Sequence, residues 1–256
     1  MIYLSNKKFL KIVSRSLSAI NKFFLDCLLP ISCLNCHTFN QWICPNCLSK
    51  IKITTEDFCP ACEKVPTPDG KTCFACKNKN SLDGLLVCCS YKENVVSKAI
   101  HSLKYKFISD LRQPLGKIMI RKILSSSLPL PDCLIPVPLY SKRLRWRGFN
   151  QSLLLAKYVG KNLTPGLKIP TWSNILFRNK NTRAQMSIRN YQQRKENIIN
   201  AFSISNSKKI QGKTILLIDD VATTGATIFE CAKTLKNNGA KKVFALVIAR
   251  QEIKMK

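Results

Sequence analysis

The chain has 256 residues, 42 Lys plus Arg against 14 Asp plus Glu, and 45% hydrophobic residues. That much apolar material excludes wholesale disorder and allows one large or two modest domains. The formal charge of +28 leaves the fold open, but it marks a surface that attracts anions: nucleic acid, an acidic membrane face or phosphorylated metabolites.

In chain order, the first element is a helix. Phe9, Val13, Leu17, Ile20 and Phe24 recur at steps of four, four, three and four, which predicts an amphipathic helix in residues 1–29. Such a helix packs on the rest of the protein or lies on a membrane surface. Lys11, Arg15 and Lys22 interrupt every stretch that could act as an export signal. No run reaches the roughly 18–20 apolar residues of a transmembrane span. A reducing, cytoplasmic setting is expected, where CxxC pairs mean metal rather than disulfides.

Residues 30–80 carry four CxxC units in 44 residues: Cys33/Cys36, Cys44/Cys47, Cys59/Cys62 and Cys73/Cys76. Each CxxC turn aims two thiolates at one point, and two turns complete the tetrahedral four-sulfur shell that suits Zn²⁺. The segment therefore predicts two closed structural zinc sites, or one with a quartet idle. Sequential and interleaved pairing both fit the spacing. Few large apolar residues lie here, so metal supplies most of the folding energy. Two zincs and eight thiolates lower the charge from +28 to about +24. His37 adjoins Cys36 and reads as an exposed residue or a spare ligand. Cys27, Cys88, Cys89, Cys133 and Cys231 read as small buried hydrophobes. Gly70-Lys71-Thr72 and Gly212-Lys213-Thr214 mimic the end of a P-loop, but Val65 and Ser207 stand where its first glycine belongs.

Residues 82–256 alternate apolar runs with helical patterns. Gly84–Tyr91 predicts a strand, Asn94–Phe107 and Leu111–Leu124 helices, Cys133–Val137 a short strand and Ser152–Leu163 a helix. Thr214–Ile218 reads as a strand buried on both faces. Ile228–Asn237 is helical, with Gly239 at its end, and Val243–Ala249 is the last strand. This order predicts an α/β fold with a mostly parallel sheet whose ligands sit beyond the carboxyl ends of its strands.

One strand end is unusual. Thr214–Ile218 runs into Asp219-Asp220-Val221-Ala222-Thr223-Thr224-Gly225-Ala226-Thr227 before a helix begins. The small stretch Ala222–Thr227 lets backbone amides approach an anion, and the helix adds its unsatisfied N–H groups and dipole. Thr223, Thr224 and Thr227 add hydroxyls, and Gly225 permits a tight turn. Asp219 and Asp220 are placed to hold a sugar's vicinal hydroxyls and a nearby Mg²⁺. Phosphate cup and diol clamp together predict a ribose 5-phosphate.

The string Ile218–Thr227 resembles the signature of the type I phosphoribosyltransferases. That resemblance implies a Rossmann-like fold. It puts the loop on the 5-phosphate of 5-phosphoribosyl 1-diphosphate (PRPP), the two acids on the ribose hydroxyls, and Mg²⁺ with PRPP as donor. A narrower pattern is Pro136-Val137-Pro138-Leu139, Arg143, Arg145 and Arg147-Gly148-Phe149-Asn150-Gln151. With Arg178, Thr182, Gln185, Arg194, Asn197 and Ala201-Phe202 it looks like the ComF family, which also carries an N-terminal double zinc ribbon. The resemblance covers roughly residues 25–250 and implies a part in DNA uptake during natural competence.

From Ser141 to Lys195 there are 13 basic residues and no acid. The first cluster follows a short strand. If that strand neighbours Thr214–Ile218, its loop lies beside the acids, and Arg143, Arg145 and Arg147 can grip the diphosphate of PRPP. Arg178–Arg194 corresponds to the family's mobile loop over the site. No general base stands out, and His101 reads as packed or exposed. Three function classes follow: a phosphoribosyl-transferring enzyme, a PRPP-binding protein without catalysis, and a single-stranded DNA-binding or protein-docking module, with competence or DNA-uptake proteins as partners. The third rests on charge, the ribbons and aromatics such as Trp42, Phe58, Phe74, Trp146 and Phe149 near basic residues.

Overall fold

A computed structural model describes residues 31–181 and 198–251. The helix expected in residues 1–29, Cys27, and Thr182, Gln185, Arg194 and Asn197 lie outside them. In chain order the elements are α1 (Pro45–Ser49), α2 (Phe74–Lys77), β1 (Gly84–Ser90), α3 (Asn94–Tyr105), α4 (Arg112–Leu124), β2 (Cys133–Pro136), α5 (Ser141–Arg147) and α6 (Gln151–Asn162). They continue with β3 (Leu176–Arg178), β4 (Phe202–Ile204), β5 (Thr214–Ala222), α7 (Ala226–Asn237) and β6 (Lys242–Arg250).

The main sheet has the order β1-β6-β5-β2, and every neighbouring pair is parallel. Alternation sorts the side chains of β5 onto two faces. Leu216 and Ile218 enter one core with Ala99, Leu103, Leu115, Ile118 and Leu155 of α3, α4 and α6. Ile215 and Leu217 enter the other with Ile228, Cys231 and Leu235 of α7. Both faces are thus dry, which is why the strand's sequence is an unbroken apolar run. Cys88, Cys89, Cys133 and Cys231 are buried there, and desolvation pushes their thiols up, Cys89 and Cys133 to about 12.

Neither sheet edge is left open. Beyond β2, Leu134 N donates to Pro170 O at 2.9 Å and Trp172 N to Leu134 O at 2.9 Å. Beyond β1, Thr54 N donates to Cys88 O at 2.8 Å, and Lys71 forms an antiparallel bridge to Gly84. Covered edges present no template for pairing with another chain. Gly70 sits where the ribbon crosses β1. With φ +59 and its α-carbon against the Leu85 carbonyl, it has no room for a Cβ. The apparent P-loop fragment Gly70-Lys71-Thr72 is a packing contact.

The cysteine quartets pair sequentially. The sulfurs of Cys33, Cys36, Cys44 and Cys47 lie within 4.8 Å of one another, and so do those of Cys59, Cys62, Cys73 and Cys76. A tetrahedron with bonds of about 2.3 Å has edges near 3.8 Å. Cys36–Cys44 at 3.5 Å and Cys62–Cys73 at 4.0 Å match it. One thiol of each quartet is drawn down to about 6: Cys36 by hydrogen bonds from Thr38, and Cys62 by the amides of Lys64 and Val65. Both quartets therefore fit the zinc ribbons that the spacing predicts.

The ribbon is welded to the sheet. Cys33, Ile43, Cys44, Cys47 and Ile51 belong to the same core as α3, α4 and α6. Lys122 of α4 donates to Thr54 O at 2.7 Å and to Asp57 Oδ2 at 2.8 Å, with both side chains nearly buried. Burial raises the Asp57 carboxyl although Lys122 opposes it. Removing one partner of such a pair costs about 3–5 kcal/mol, because a charge stays buried alone.

The two quartets should therefore fail differently. Metal analysis is expected to find two zinc ions per chain. Cys62→Ser should leave one zinc and a sheet that still melts cooperatively, whereas Cys44→Ser should lower the melting temperature much further, since Cys44 lies in the shared core. Equal destabilisation by the two changes would refute this difference.

Candidate functional site

β5 continues four residues beyond Ile218, so Asp219 and Asp220 are strand residues. Asp220 is 2% exposed and faces the α3 layer. Lys104, in the last turn of α3, reaches it with Nζ 2.8 Å from Oδ1. Burial pulls the Lys104 ammonium down, but the Asp220 carboxylate pulls harder and the net shift is up. Asp219 is half-buried; its Oδ1 accepts from Ser152 Oγ at 2.8 Å and from Asp220 N at 2.9 Å. Burial and the neighbouring Asp220 charge push its carboxyl up to about 7, against Lys104 and the hydrogen bonds.

The turn after β5 makes the cup. Gly225 has φ +75, and a Cβ there would come within 2.9 Å of the Phe229 ring. α7 starts at Ala226, its first-turn amides facing the β5 end. Ala222, Thr223, Gly225 and Thr227 line a cavity of about 270 Å³. Thr224 and Ala226 do not line it. Thr224 is buried, and its hydroxyl accepts from Ala226 N at 3.3 Å, so it shapes the cup from behind.

β2 neighbours β5, with Val137 N donating to Ile218 O at 2.9 Å. This adjacency brings the arginines to the acids. The segment expected as a loop is the short helix α5. Tyr140 O caps it, accepting from Arg143 N and Leu144 N at 2.9 Å, and Gly148, left-handed at φ +77, ends it. Seven residues with two large apolar side chains are too few to display a helical period. Arg143 and Arg147 line the cavity, while Arg145 is exposed and points elsewhere.

The run Arg147-Gly148-Phe149-Asn150-Gln151 is a brace. Asn150 caps α6, its Oδ1 accepting from Ser152 N at 2.9 Å, and its Nδ2 donates to Val137 O at 3.0 Å. Gln151 Oε1 accepts from Arg147 Nη1 at 2.7 Å. One tight turn thus fixes the β2 loop, the Arg147 guanidinium and the Asp219 carboxylate.

Arg178 also reaches the cavity, as the last residue of β3 rather than the start of a polar loop; β3 pairs antiparallel with β4. Burial lowers both Arg147 and Arg178. Lys104 and Tyr105, which line the cavity, and Ser152, which holds Asp219, are positions that sequence reading missed. Lys104 and Tyr105 sit in an ordinary amphipathic helix, and only the packing of α3 across the β5 end reveals them. His101 is exposed, with its ring 4.8 Å from that of Tyr105, and does not enter the cavity. His37 is exposed and outside the first quartet.

Asp220 Oδ2, an acceptor, and Arg147 Nε, a donor, are buried atoms on this cavity's lining residues without a hydrogen-bond partner among the described residues. Buried polar groups rarely stay unpaired. A ligand offering hydroxyls on one side and phosphoryl oxygens on the other fits both, and so do PRPP and its Mg²⁺.

Comparison with known proteins agrees with this geometry. The family model described as "Phosphoribosyl transferase domain" matches residues 163–256. "DNA utilization protein YhgH" of Escherichia coli (strain K12) is 31% identical over 229 residues, covering 88% of this chain and 95% of that protein. "Competence protein F" of Haemophilus influenzae is 30% identical, covering 85% and 96%. The chain belongs to the ComF family. "Competence protein ComFC" of Bacillus subtilis, 28% identical over 78% of this chain and 80% of its own length, is a further relative. The ComF assignment joins the two halves of the molecule, the double zinc ribbon and the phosphoribosyltransferase fold, that the cysteine spacing and the β5 motif each indicate separately. Among the described residues no helix is long and apolar enough to cross a membrane.

The Asp219 environment has a pH consequence. An unfolded Asp titrates near 3.9. The folded protein therefore binds more protons than the unfolded chain from about pH 4 to about 7, and this group's contribution makes stability fall as pH rises through that window. Asp219→Asn, which keeps the acceptor for Ser152, should remove that fall. Ligand-free melting curves at pH 5 and pH 8 read it: the wild type should lose more than the variant, and identical losses would count against the assignment.

Proposed function

We propose that this chain binds PRPP with Mg²⁺ at the carboxyl ends of β2 and β5, as a phosphoribosyltransferase-domain protein of DNA uptake during natural competence. The observation that carries the reading is the convergence on one cavity of the Gly225 cup, the Asp219–Asp220 pair and three arginines, two from α5 and one from β3. The cup takes the 5-phosphate through the first amides of α7 and the hydroxyls of Thr223 and Thr227. Asp219 and Asp220 receive the ribose hydroxyls. Arg143, Arg147 and Arg178 receive the diphosphate, and Arg147 is held for it by Gln151.

Mg²⁺ supplies charge neutralisation on the diphosphate when bound. Transfer from such a complex breaks the bond between C1 and the diphosphate and develops positive charge on the ribose. The chain's part is to orient the sugar between the acids and to stabilise the departing charge with arginines set in a half-dry site. A reducing, cytoplasmic setting suits the eight thiolates of the ribbons. The role in DNA uptake is supported by the relatives called competence proteins.

Thermal melting tests the reading. A ligand that binds only the native state at about 100 times its Kd adds about 2.7 kcal/mol, which raises the melting temperature of a chain this size by roughly 5 °C or more. PRPP with Mg²⁺ should produce that shift and Mg²⁺ alone should not. Asp219→Asn should abolish it without unfolding the protein. A wild type whose melting ignores PRPP would overturn the proposal.

A further inference from the structure

The ion pair at the cavity floor differs from the one that ties the ribbon to α4. Lys122 bonds both Asp57 and the Thr54 carbonyl, and neither partner lines the cavity. Lys104 and Asp220 both line it, with Nζ 2.8 Å from Oδ1, and Asp220 Oδ2 stays buried without a partner among the described residues. An acid only 2% exposed, with an oxygen left over beside a second acid, Asp219, offers the donor set of a hard divalent cation. An ammonium already stands against it.

The place of that ammonium is fixed by the fold. Lys104 belongs to the last turn of α3, where the negative end of the helix dipole favours a cation. Ile100 and Leu103 anchor the same turn in the core. Around the pair, the described lining residues carry four cations, Lys104, Arg143, Arg147 and Arg178, against two acids. Arg147 is held by Gln151 and by the Tyr105 and Trp146 rings, whose centres lie 5.8 and 5.9 Å from its guanidinium. The site is therefore positive before any ligand arrives, and a free divalent ion meets repulsion in it. Phosphoryl groups reverse that balance.

We infer that Lys104 is a specificity-determining residue: it occupies the Asp219–Asp220 pair as a resident monovalent cation, so that a divalent ion enters only together with phosphoryl groups. The inference rests on the proposed function in taking PRPP as that carrier. Lysine suits the task because its charge is a compact point on a flexible stem. It can yield Asp220 to a metal that brings its own negative charge, and it never leaves the acid bare in the meantime. A lysine serving only to neutralise a buried acid would not govern which metal species binds.

Electron paramagnetic resonance of Mn²⁺, which reads the free ion, tests this on the full zinc-loaded chain without PRPP. Lys104→Gln keeps a donor for Asp220 and loses the charge. It should bind Mn²⁺ roughly tenfold tighter than wild type or more, because a like charge within about 4 Å costs at least that much even near a protein surface. Lys104→Arg should exclude Mn²⁺ again, and adding Asp220→Asn to Lys104→Gln should abolish the binding. Mn²⁺ should raise the melting temperature of Lys104→Gln and not that of wild type. If Lys104→Gln is too unstable to fold alone, Mn²⁺ should refold it by restoring the counter-charge, and a chain that stays unfolded with Mn²⁺ would overturn the inference. So would tight Mn²⁺ binding by wild type, binding by Lys104→Gln as weak as that of wild type, or binding that survives Asp220→Asn. Wild type given PRPP should take up Mn²⁺. Failure of that step alone would count against the proposed function and leave exclusion by Lys104 standing.

Discussion

A carboxylate as deeply buried as Asp220 needs a counter-charge from the protein itself, and Lys104 supplies it at 2.8 Å. That pair decides much of the architecture around it. It requires the last turn of α3 to cross the end of β5, which is the central strand where two apolar cores meet. It leaves one oxygen of Asp220 unpaired among the described residues, beside the cavity. It also brings the residues after Lys104, namely Tyr105, Lys106 and Phe107, to the rim. The charge at the floor of the site and the aromatic surface at its mouth are consequences of one helix ending in one place.

Charge of both signs is handled in the same way on the far side. Arg147 is nearly buried, and its ordinary strong basicity is lowered by that burial. Gln151 holds one of its nitrogens, two rings flank its plane, and the brace from Gly148 to Ser152 locks its helix to the next one. A guanidinium kept dry, oriented and incompletely paired is prepared for an anion before the anion arrives. Charge fixed in this way needs no reorganisation when an anion enters.

The ribbon is more than an appendage. Its first quartet contributes cysteines to the core beneath α4, its Asp57 pairs with Lys122 of α4, and its backbone closes the β1 edge. The ribbon segment thereby completes a sheet that would otherwise expose a hydrogen-bonding edge. The second quartet is less enclosed, and Gly70, Lys71, the Asp69–Ser127 hydrogen bonds and the Arg250–Glu63 ion pair tie its segment to the rest of the chain.

The sequence by itself determined the elements and the chemistry that local pattern encodes. The strands β1, β2, β5 and β6 and the helices α3, α4, α6 and α7 are legible because their burial is periodic or continuous over enough residues to be counted. The cysteine quartets and the turn after β5 are legible because their residues are neighbours in the chain. Tertiary structure alone decided the rest. Sequential pairing of the quartets, the helical state of Ser141–Arg147, the strand position of Arg178, the rear placement of Thr224 and the outward turn of Arg145 all depend on what packs where. Lys104 and Ser152 could not be read in advance. Each is unremarkable within its own helix, and each acquires its role only through an acid more than sixty residues away in the chain, brought within hydrogen-bonding distance by the packing of helices on a shared sheet.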